Sequence, residues 1–344
     1  MRIYAMQFAS CVGRCYPGEM AKSIETCLGR ILVLFPGSLG DFVCLLPALE
    51  ELKTVSSAQP LTVAARGQSF EVAAAIPWIS QVLSLDSSVF ASLFSSSTLV
   101  SREAVQLFSS VGQLVSWFGH HSPEMRTALE RLVPRRVRSF AFFRGQEPIH
   151  ACEYYLRCLG AIGKRCPSLI VRPEDKYWCE SYWQRRGWQA GARVLVMHPG
   201  SGGARKRWAI EGFVRIARWW RRENNRQVVI LLGPAEACEK EIWQKEGIVE
   251  NSLSLGQVGA LVSRADFYVG NDSGVSHVAG AVGARGIVIF GPTSHEQWRP
   301  LGGALSVLLN REYRATVPDQ AGISLQEVPA EVGITELARL GGIR

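Results

Sequence analysis

The chain has 344 residues, 47% of them hydrophobic and 20% charged, and a formal net charge of +8 at pH 7. That composition excludes a disordered or low-complexity polypeptide and supplies apolar material for two cores, the natural expectation at this length. No apolar run approaches the ~20 residues a membrane-spanning helix requires, so a spanning protein is not expected.

Residues 1–28 contain Arg2 and Arg14 but no apolar core followed by a small-residue cleavage site, so they do not read as a signal peptide. They are set apart as an N-terminal extension of unknown role, with Met20 shortly before the first strand. Arg30–Phe35 is a short apolar run with the pattern of a buried parallel strand. A Pro36–Asp41 turn follows, then a helix over Phe42–Leu52 with Leu45, Leu46 and Leu49 on one face. Strands are expected at Pro60–Ala65 and Val82–Leu85, and a helical stretch near Arg102–Phe118. This alternation marks a doubly wound α/β domain, bounded here as 29–170.

Residues 171–192 are polar, rich in Tyr, Trp and Arg, and are expected to link two domains. They lie within a basic stretch, 151–225, that holds 15 basic and 6 acidic side chains. Such a stretch suits a phosphate-bearing ligand, an anionic membrane surface or nucleic acid, and a solvated helix face accounts equally well for Arg215, Arg218, Arg221 and Arg222.

The pattern restarts with a strand at Val194–Met197, a Gly-rich loop from His198 to Lys206 and a helix over Ile210–Arg222. Further strands are expected at Gln227–Leu232, Phe267–Val269 and Ile287–Phe290, with helices at Val258–Ser263 and His277–Val282. A second doubly wound domain over 193–325 follows, then a C-terminal helix within 326–344. Two such domains facing each other would form a ligand cleft at the carboxyl ends of their strands. The nine cysteines show no CxxC pair and no zinc spacing with histidine, the usage of reduced thiols in a cytosolic protein.

Four loops carry chemistry. The run from Val269 through Gly270, Asn271 and Asp272 to His277 ends a strand and opens a helix. The backbone amides of Ser273, Gly274 and Val275 would then face a cleft at the positive end of the helix dipole, a site for an anion such as a diphosphate. Asp272 repels phosphate and suits sugar hydroxyls, while a plain helix cap uses the same residue types. In the second loop, His198 to Trp208, glycine-rich backbone makes a nest for phosphate oxygens and Lys206 offers a point charge; a surface turn with solvated basic residues reads the same way. It is not a Walker A loop, because Lys206 is followed by Arg207 rather than Ser or Thr. The third, Ser38-Leu39-Gly40-Asp41, carries a carboxylate that suits either a helix cap or a general base. It lacks G-x-G-x-x-G, which counts against a dinucleotide-binding dehydrogenase. The fourth, Phe290 to Thr293 with Trp298 and Pro300 behind it, offers Thr293 to a ligand and Trp298 to packing.

Together these loops resemble glycosyltransferase family 9, the ADP-heptose:lipopolysaccharide heptosyltransferases. The resemblance rests on ILVLFPGSLGDFVCLLPAL at 31–49, HPGSGGARKRW at 198–208, LLGPAE at 231–236 and DFYVGNDSGVSHVAGAVGARGIVIFGPT at 266–293, with Trp298, Arg299 and Pro300 after them. It is dense in the second half and thin between 90 and 190, and the extension at 1–28 departs from it. The resemblance implies a GT-B architecture, two Rossmann-like domains facing across a cleft, the first on the acceptor side and the second holding the donor. It places a general base at Asp41 and a phosphate-binding lysine at Lys206. Donor contacts fall at Ser201, Glu236, Leu253, Asp272, Ser273, Gly274, Val275 and His277.

The activity so implied is an inverting transfer of a heptose or related sugar from an ADP-sugar to a lipopolysaccharide-core or similar glycan. It needs no cofactor beyond the donor and no metal, since protein cations and amides neutralise the diphosphate. The implied partners are a nucleotide sugar and an anionic glycolipid, not nucleic acid. The implied setting is a cytoplasmic monomer with peripheral contact at the inner face of the cytoplasmic membrane. Two other readings stay open: a nucleotide-sugar epimerase or hydrolase of the same build, and a non-catalytic nucleotide-binding protein. Incubating donor with and without a lipid acceptor separates them.

Overall fold

A computed structural model describes residues 29–94, 100–142, 148–189, 191–309 and 328–342. The extension expected at 1–28 lies outside the described residues. Two all-parallel sheets organise the chain. The first contains β1 (Arg30–Leu34), β2 (Leu61–Ala65), β3 (Gln81–Ser84), β4 (Val111–Ser116) and β5 (Val137–Ser139), in the order β3-β2-β1-β4-β5. Its helices include α1 (Leu39–Val55), α2 (Gly67–Ala74), α3 (Arg102–Ser109) and α4 (Pro123–Leu132). One face of this sheet buries Leu32, Leu34 and Leu114 against Phe108 of α3 and Met125 and Leu129 of α4.

The helix expected through Arg102–Phe118 stops at Ser109, and residues 111–116 form β4 instead. Val111, Leu114 and Val115 are buried between β1 and β5. Ser109 and Ser110 interrupt the apolar helical stripe, and the β-branched Val111 and Val115 fit a pleated, enclosed strand better than a helix.

After α5 (Ala151–Cys158), the stretch read as a linker contains a 13-residue helix, α6 (Pro173–Arg185). Pro173 opens it at a position where a missing N–H costs nothing. Its Cys179, Tyr182 and Trp183 are buried against the second sheet, so the aromatic richness of this stretch is core material. That sheet holds β6 (Arg193–His198), β7 (Arg226–Leu231), β8 (Ile248–Glu250), β9 (Phe267–Asn271), β10 (Arg285–Phe290) and β11 (Ala304–Leu309), in the order β11-β10-β9-β6-β7-β8. This is the doubly wound order, which reverses direction between β6 and β9.

Period-two alternation sends Leu195 and Met197 of β6 to one face, where Phe213, Ile216 and Trp220 of α7 (Ile210–Trp220) and Leu337 of α10 (Ala330–Gly341) meet them. Val194 and Val196 point to the other face, toward α6, Leu261 of α8 (Leu255–Arg264) and Ala279 of α9 (Gly274–Ala281). Both halves are therefore doubly wound α/β folds. By contact density the chain divides into two compact units. One holds the described residues through Pro36 with Leu52–Ala65 and Trp78–Phe142; the other holds Gly37–Glu51, Arg66–Pro77 and the described residues from 148 onward. The first three turns of α1 and all of α2 thus belong to the unit that contains the second sheet.

Gly286 in β10 has φ +147°, and a Cβ built on it would lie 1.8 Å from the carbonyl oxygen of Tyr268 in the neighbouring strand. Gly286→Ala should therefore lower the unfolding free energy by about 3 kcal/mol, from backbone strain plus displacement of a central ladder. Urea denaturation checks this, and an unchanged midpoint contradicts it.

Candidate functional site

β6 and β9 are hydrogen-bonded neighbours with His198 opposite Gly270, while the helices after them, α7 and α9, pack on opposite faces of the sheet. The two connecting loops must therefore part directly above the strand ends, and a crevice opens between them. Asn271, the last residue of β9, fixes the nearer loop. It is fully buried; its Nδ2 donates to the Pro199 carbonyl at 2.7 Å and its Oδ1 accepts from the Trp208 amide at 3.0 Å. One side chain thus ties both ends of the 199–208 loop to the sheet. Ser201 adds a tie in the middle, its hydroxyl donating to the Asp272 carbonyl at 2.7 Å. Trp208 holds the far end, with Nε1 donating to the Val328 carbonyl at 3.1 Å.

Held this way, the loop presents Lys206 to Asp272, Nζ to Oδ2 at 2.8 Å. Asp272 is buried and Oδ2 accepts no well-directed hydrogen bond, so charge rather than hydrogen-bond direction holds the contact. The Lys206 side chain is 38% exposed. A charge on a flexible stem held only by attraction can move to a stronger anion within reach.

α9 begins two residues after Asp272. Ser273 is its N-cap, and its hydroxyl accepts from the Ser276 amide at 3.3 Å. Ser276 in turn donates from its hydroxyl to the Asn271 carbonyl at 2.6 Å, and the buried Tyr268 hydroxyl lies 2.9 Å away. Among the described residues, the backbone amides of Ser273, Gly274 and Val275 donate to no acceptor. They form the positive end of the helix.

The start of α1 closes the site. A Cβ on Gly274 would lie 2.7 Å from the Leu39 side chain, and one on Gly40 would lie 2.9 Å from the His277 ring, so two missing side chains let the helix starts meet. Asp41, in the first turn of α1, accepts through Oδ2 from the Ser38 amide at 2.9 Å and from its hydroxyl at 2.6 Å. These are capping bonds, and the same carboxylate faces the cavity. Burial pushes the His277 imidazole down to about 4, against the pull of Asp272 and helped by His150 and Lys206. Its Nδ1 lies 3.6 Å from the Cys44 thiol, one turn further along α1.

A cavity of about 310 Å³ results, lined by Asp41, Lys206, Asp272, Ser273, Gly274 and His277, and also by Thr293 and Trp298. The other residues read from the sequence lie outside its walls. The Ser201 hydroxyl is spent on Asp272. The buried Glu236 accepts from the Gly233 amide at 3.1 Å and presses against Gly200. Leu253 and Val275 pack on the second core. Asn271 was not among the residues singled out from the sequence, although an amide side chain ending an apolar strand was a usable signal. Chemically, the cavity pairs an ammonium and free amides, which attract an anion, with a carboxylate that can take a proton.

Residues 174–322 match the family model described as glycosyltransferase family 9 (heptosyltransferase). Lipopolysaccharide heptosyltransferase 3 of Escherichia coli is 31% identical over 96 residues, 26% of this chain and 28% of that relative, so the match spans less than a third of the relative's length. A glycosyl transferase family 9 structure from Veillonella parvula shares the fold with a TM-score of 0.72 at 19% identity, covering 92% of this chain and 97% of that one. The E. coli ADP-heptose lipopolysaccharide heptosyltransferase II structure gives 0.66 at 18% identity, covering 90% and 98%.

The His277 environment has a pH signature. Its folded pKa of about 4 lies below the free value of 6.5, so between these values the unfolded chain binds more protons. The stability it contributes is complete above pH 6.5 and is lost as pH falls toward 4, at about 1.4 kcal/mol per unit. Unfolding free energy should drop by about 2 kcal/mol between pH 6.5 and 5. His277→Gln should flatten that slope. Parallel profiles for the two proteins would show that His277 is not the group responsible.

Proposed function

We propose that this chain is a glycosyltransferase of family 9, whose model residues 174–322 match, and that it transfers a heptose, or a closely related sugar, from an ADP-sugar to a lipopolysaccharide-core glycan. The supporting observation is one cavity lined by Lys206, by Ser273 and Gly274 at the start of α9, whose amides donate to no acceptor among the described residues, and by Asp41. The named donor of the heptosyltransferase II neighbour and the named product of the curated relative supply the ADP-heptose and lipopolysaccharide parts of the reading.

In this reading the donor diphosphate lies between Lys206 and the amides of Ser273, Gly274 and Val275. It draws the ammonium from Asp272, and Asp272 is released to accept from the sugar hydroxyls. Asp41 takes the proton from an acceptor hydroxyl as that oxygen attacks the anomeric carbon from the face opposite the diphosphate. The bond to the diphosphate oxygen breaks, ADP leaves with the electron pair, and the configuration inverts. Lys206 and the amides hold the charge that develops on the leaving oxygen, in a pocket partly shielded from water. The chain acts on the cytoplasmic side of the membrane that carries its acceptor. Among the described residues, no helix is long and apolar enough to cross a membrane.

Asp41→Asn tests the reading. Asn keeps an oxygen able to accept from the Ser38 amide and hydroxyl, so α1 should still start correctly. It cannot take the proton. Transfer should fall by at least roughly a hundredfold while ADP affinity stays within a few-fold. Near-wild-type transfer by the folded variant would overturn Asp41 as the base. Loss of donor without an acceptor present would point to hydrolysis or epimerisation instead.

A further inference from the structure

The two most exposed large hydrophobic side chains among the described residues are Ile162, at 96%, and Ile170, at 82%. They lie on the connection between α5 and α6. Single exposed aliphatic residues are ordinary on protein surfaces, so exposure alone says little. The way Ile162 is held says more. α5 ends in a Schellman pattern: Ala161 N–H donates to the Leu156 carbonyl at 3.1 Å and Gly160 N–H to the Arg157 carbonyl at 2.9 Å. Gly160 and Gly163, with φ +79° and +116°, bracket Ile162 in backbone conformations that favour glycine. A Cβ built on either would meet nothing within 4 Å, so this turn stands clear of the rest of its unit. The chain is tied again beyond the turn. Arg165 pairs with Glu51 at 2.6 Å, and Leu169 N–H donates to the Ala281 carbonyl at 2.9 Å.

The projecting isoleucine sits among cations. Lys164 is exposed and has no ion-pair partner among the described residues. Arg157 and Arg165 remain 55% and 46% exposed beside their Glu153 and Glu51 partners. Further along, exposed Ile170 is followed by Arg172 and by the exposed Lys176 and Tyr177. The acidic groups nearest in sequence are compensated, because Asp175 is buried against Arg172 at 2.8 Å and Glu174 lies 3.2 Å from the same guanidinium. An outward aliphatic tip in a basic surround matches the chemistry of a lipid bilayer, whose acyl boundary accepts the tip while its phosphates accept the cations. A protein partner would demand shape and hydrogen-bond complementarity over a much larger patch than one turn.

We propose that the Gly160–Arg165 turn, assisted by Ile170, is the surface through which this protein seats itself on an anionic membrane. Ile162 enters the headgroup–acyl boundary, and Lys164, Arg157 and Arg165 pair with lipid phosphates. The seating uses none of the groups assigned to sugar transfer, so it stands or falls separately from the proposed reaction.

Vesicle sedimentation tests it with the full-length protein. Wild type should pellet with vesicles of phosphatidylcholine containing phosphatidylglycerol, bind phosphatidylcholine alone much more weakly, and be released by 0.5 M salt, which shortens the Debye length to roughly half its physiological value. Ile162→Asp should weaken binding about tenfold, from the lost burial of one aliphatic side chain, and leave the unfolding midpoint unchanged. Ile162→Trp should strengthen it, because an interfacial aromatic anchors better than an aliphatic residue. The proposal is overturned if wild type ignores anionic vesicles, if it binds neutral ones equally well, or if Ile162→Asp binds like wild type. ADP binding measured in parallel reports on the donor site alone, so failure of one claim is distinguishable from failure of the other.

Discussion

The strand order of the second sheet brings β6 and β9 side by side while sending the chain after each to opposite faces. Two loops must diverge at that point, and neither can cover the strand ends. The site is built at this seam. Asn271 sits at the tip of β9 and spans it, holding Pro199 and Trp208 of the opposite loop. Because the amide is fully buried, losing either bond would leave a polar group without compensation. The loop that carries Lys206 is consequently a fixed part of the sheet edge rather than a surface turn.

Charge balance follows from that placement. A buried Asp272 is unfavourable without a counter-charge, and Lys206 supplies one at 2.8 Å. The pair leaves the cavity with the amides of α9 as a further, uncancelled source of positive potential. The glycines at 40 and 274 let α1 approach α9 closely enough that Asp41, Ser273 and Gly274 line one space. The approach also buries His277 and keeps it neutral near physiological pH, so it adds no charge to the cavity.

Much of this was legible in the sequence because parallel sheets announce themselves as short apolar runs closed by glycine-rich turns. β1, β6, β7, β9 and β10 each fall where such runs occur. The loops at Ser38, His198 and Asp272 stood out because small residues cluster after those strands. What stayed hidden depended on tertiary neighbours. β4 was masked because its apolar residues continue a helical-looking stretch, and only enclosure between β1 and β5 decides the matter. α6 was masked because its polar and charged face resembles a linker while Cys179, Tyr182 and Trp183 face a sheet. Within the site, the residue types at Ser201 and Glu236 could not reveal that the first is spent on the Asp272 carbonyl and the second on the Gly233 amide. The role of Asn271 depends on two partners 72 and 63 residues away in sequence.

The central claim is that the second sheet's seam, with Lys206 on one side and the start of α9 on the other, holds a nucleoside diphosphate. Calorimetry of ADP and of adenosine with wild type and Lys206→Ala tests it most directly. A charge-assisted contact of about 1.5–3 kcal/mol predicts that ADP affinity falls roughly ten- to a hundredfold in the variant, while adenosine binding is unaffected. Equal ADP affinity in the two proteins would contradict the account.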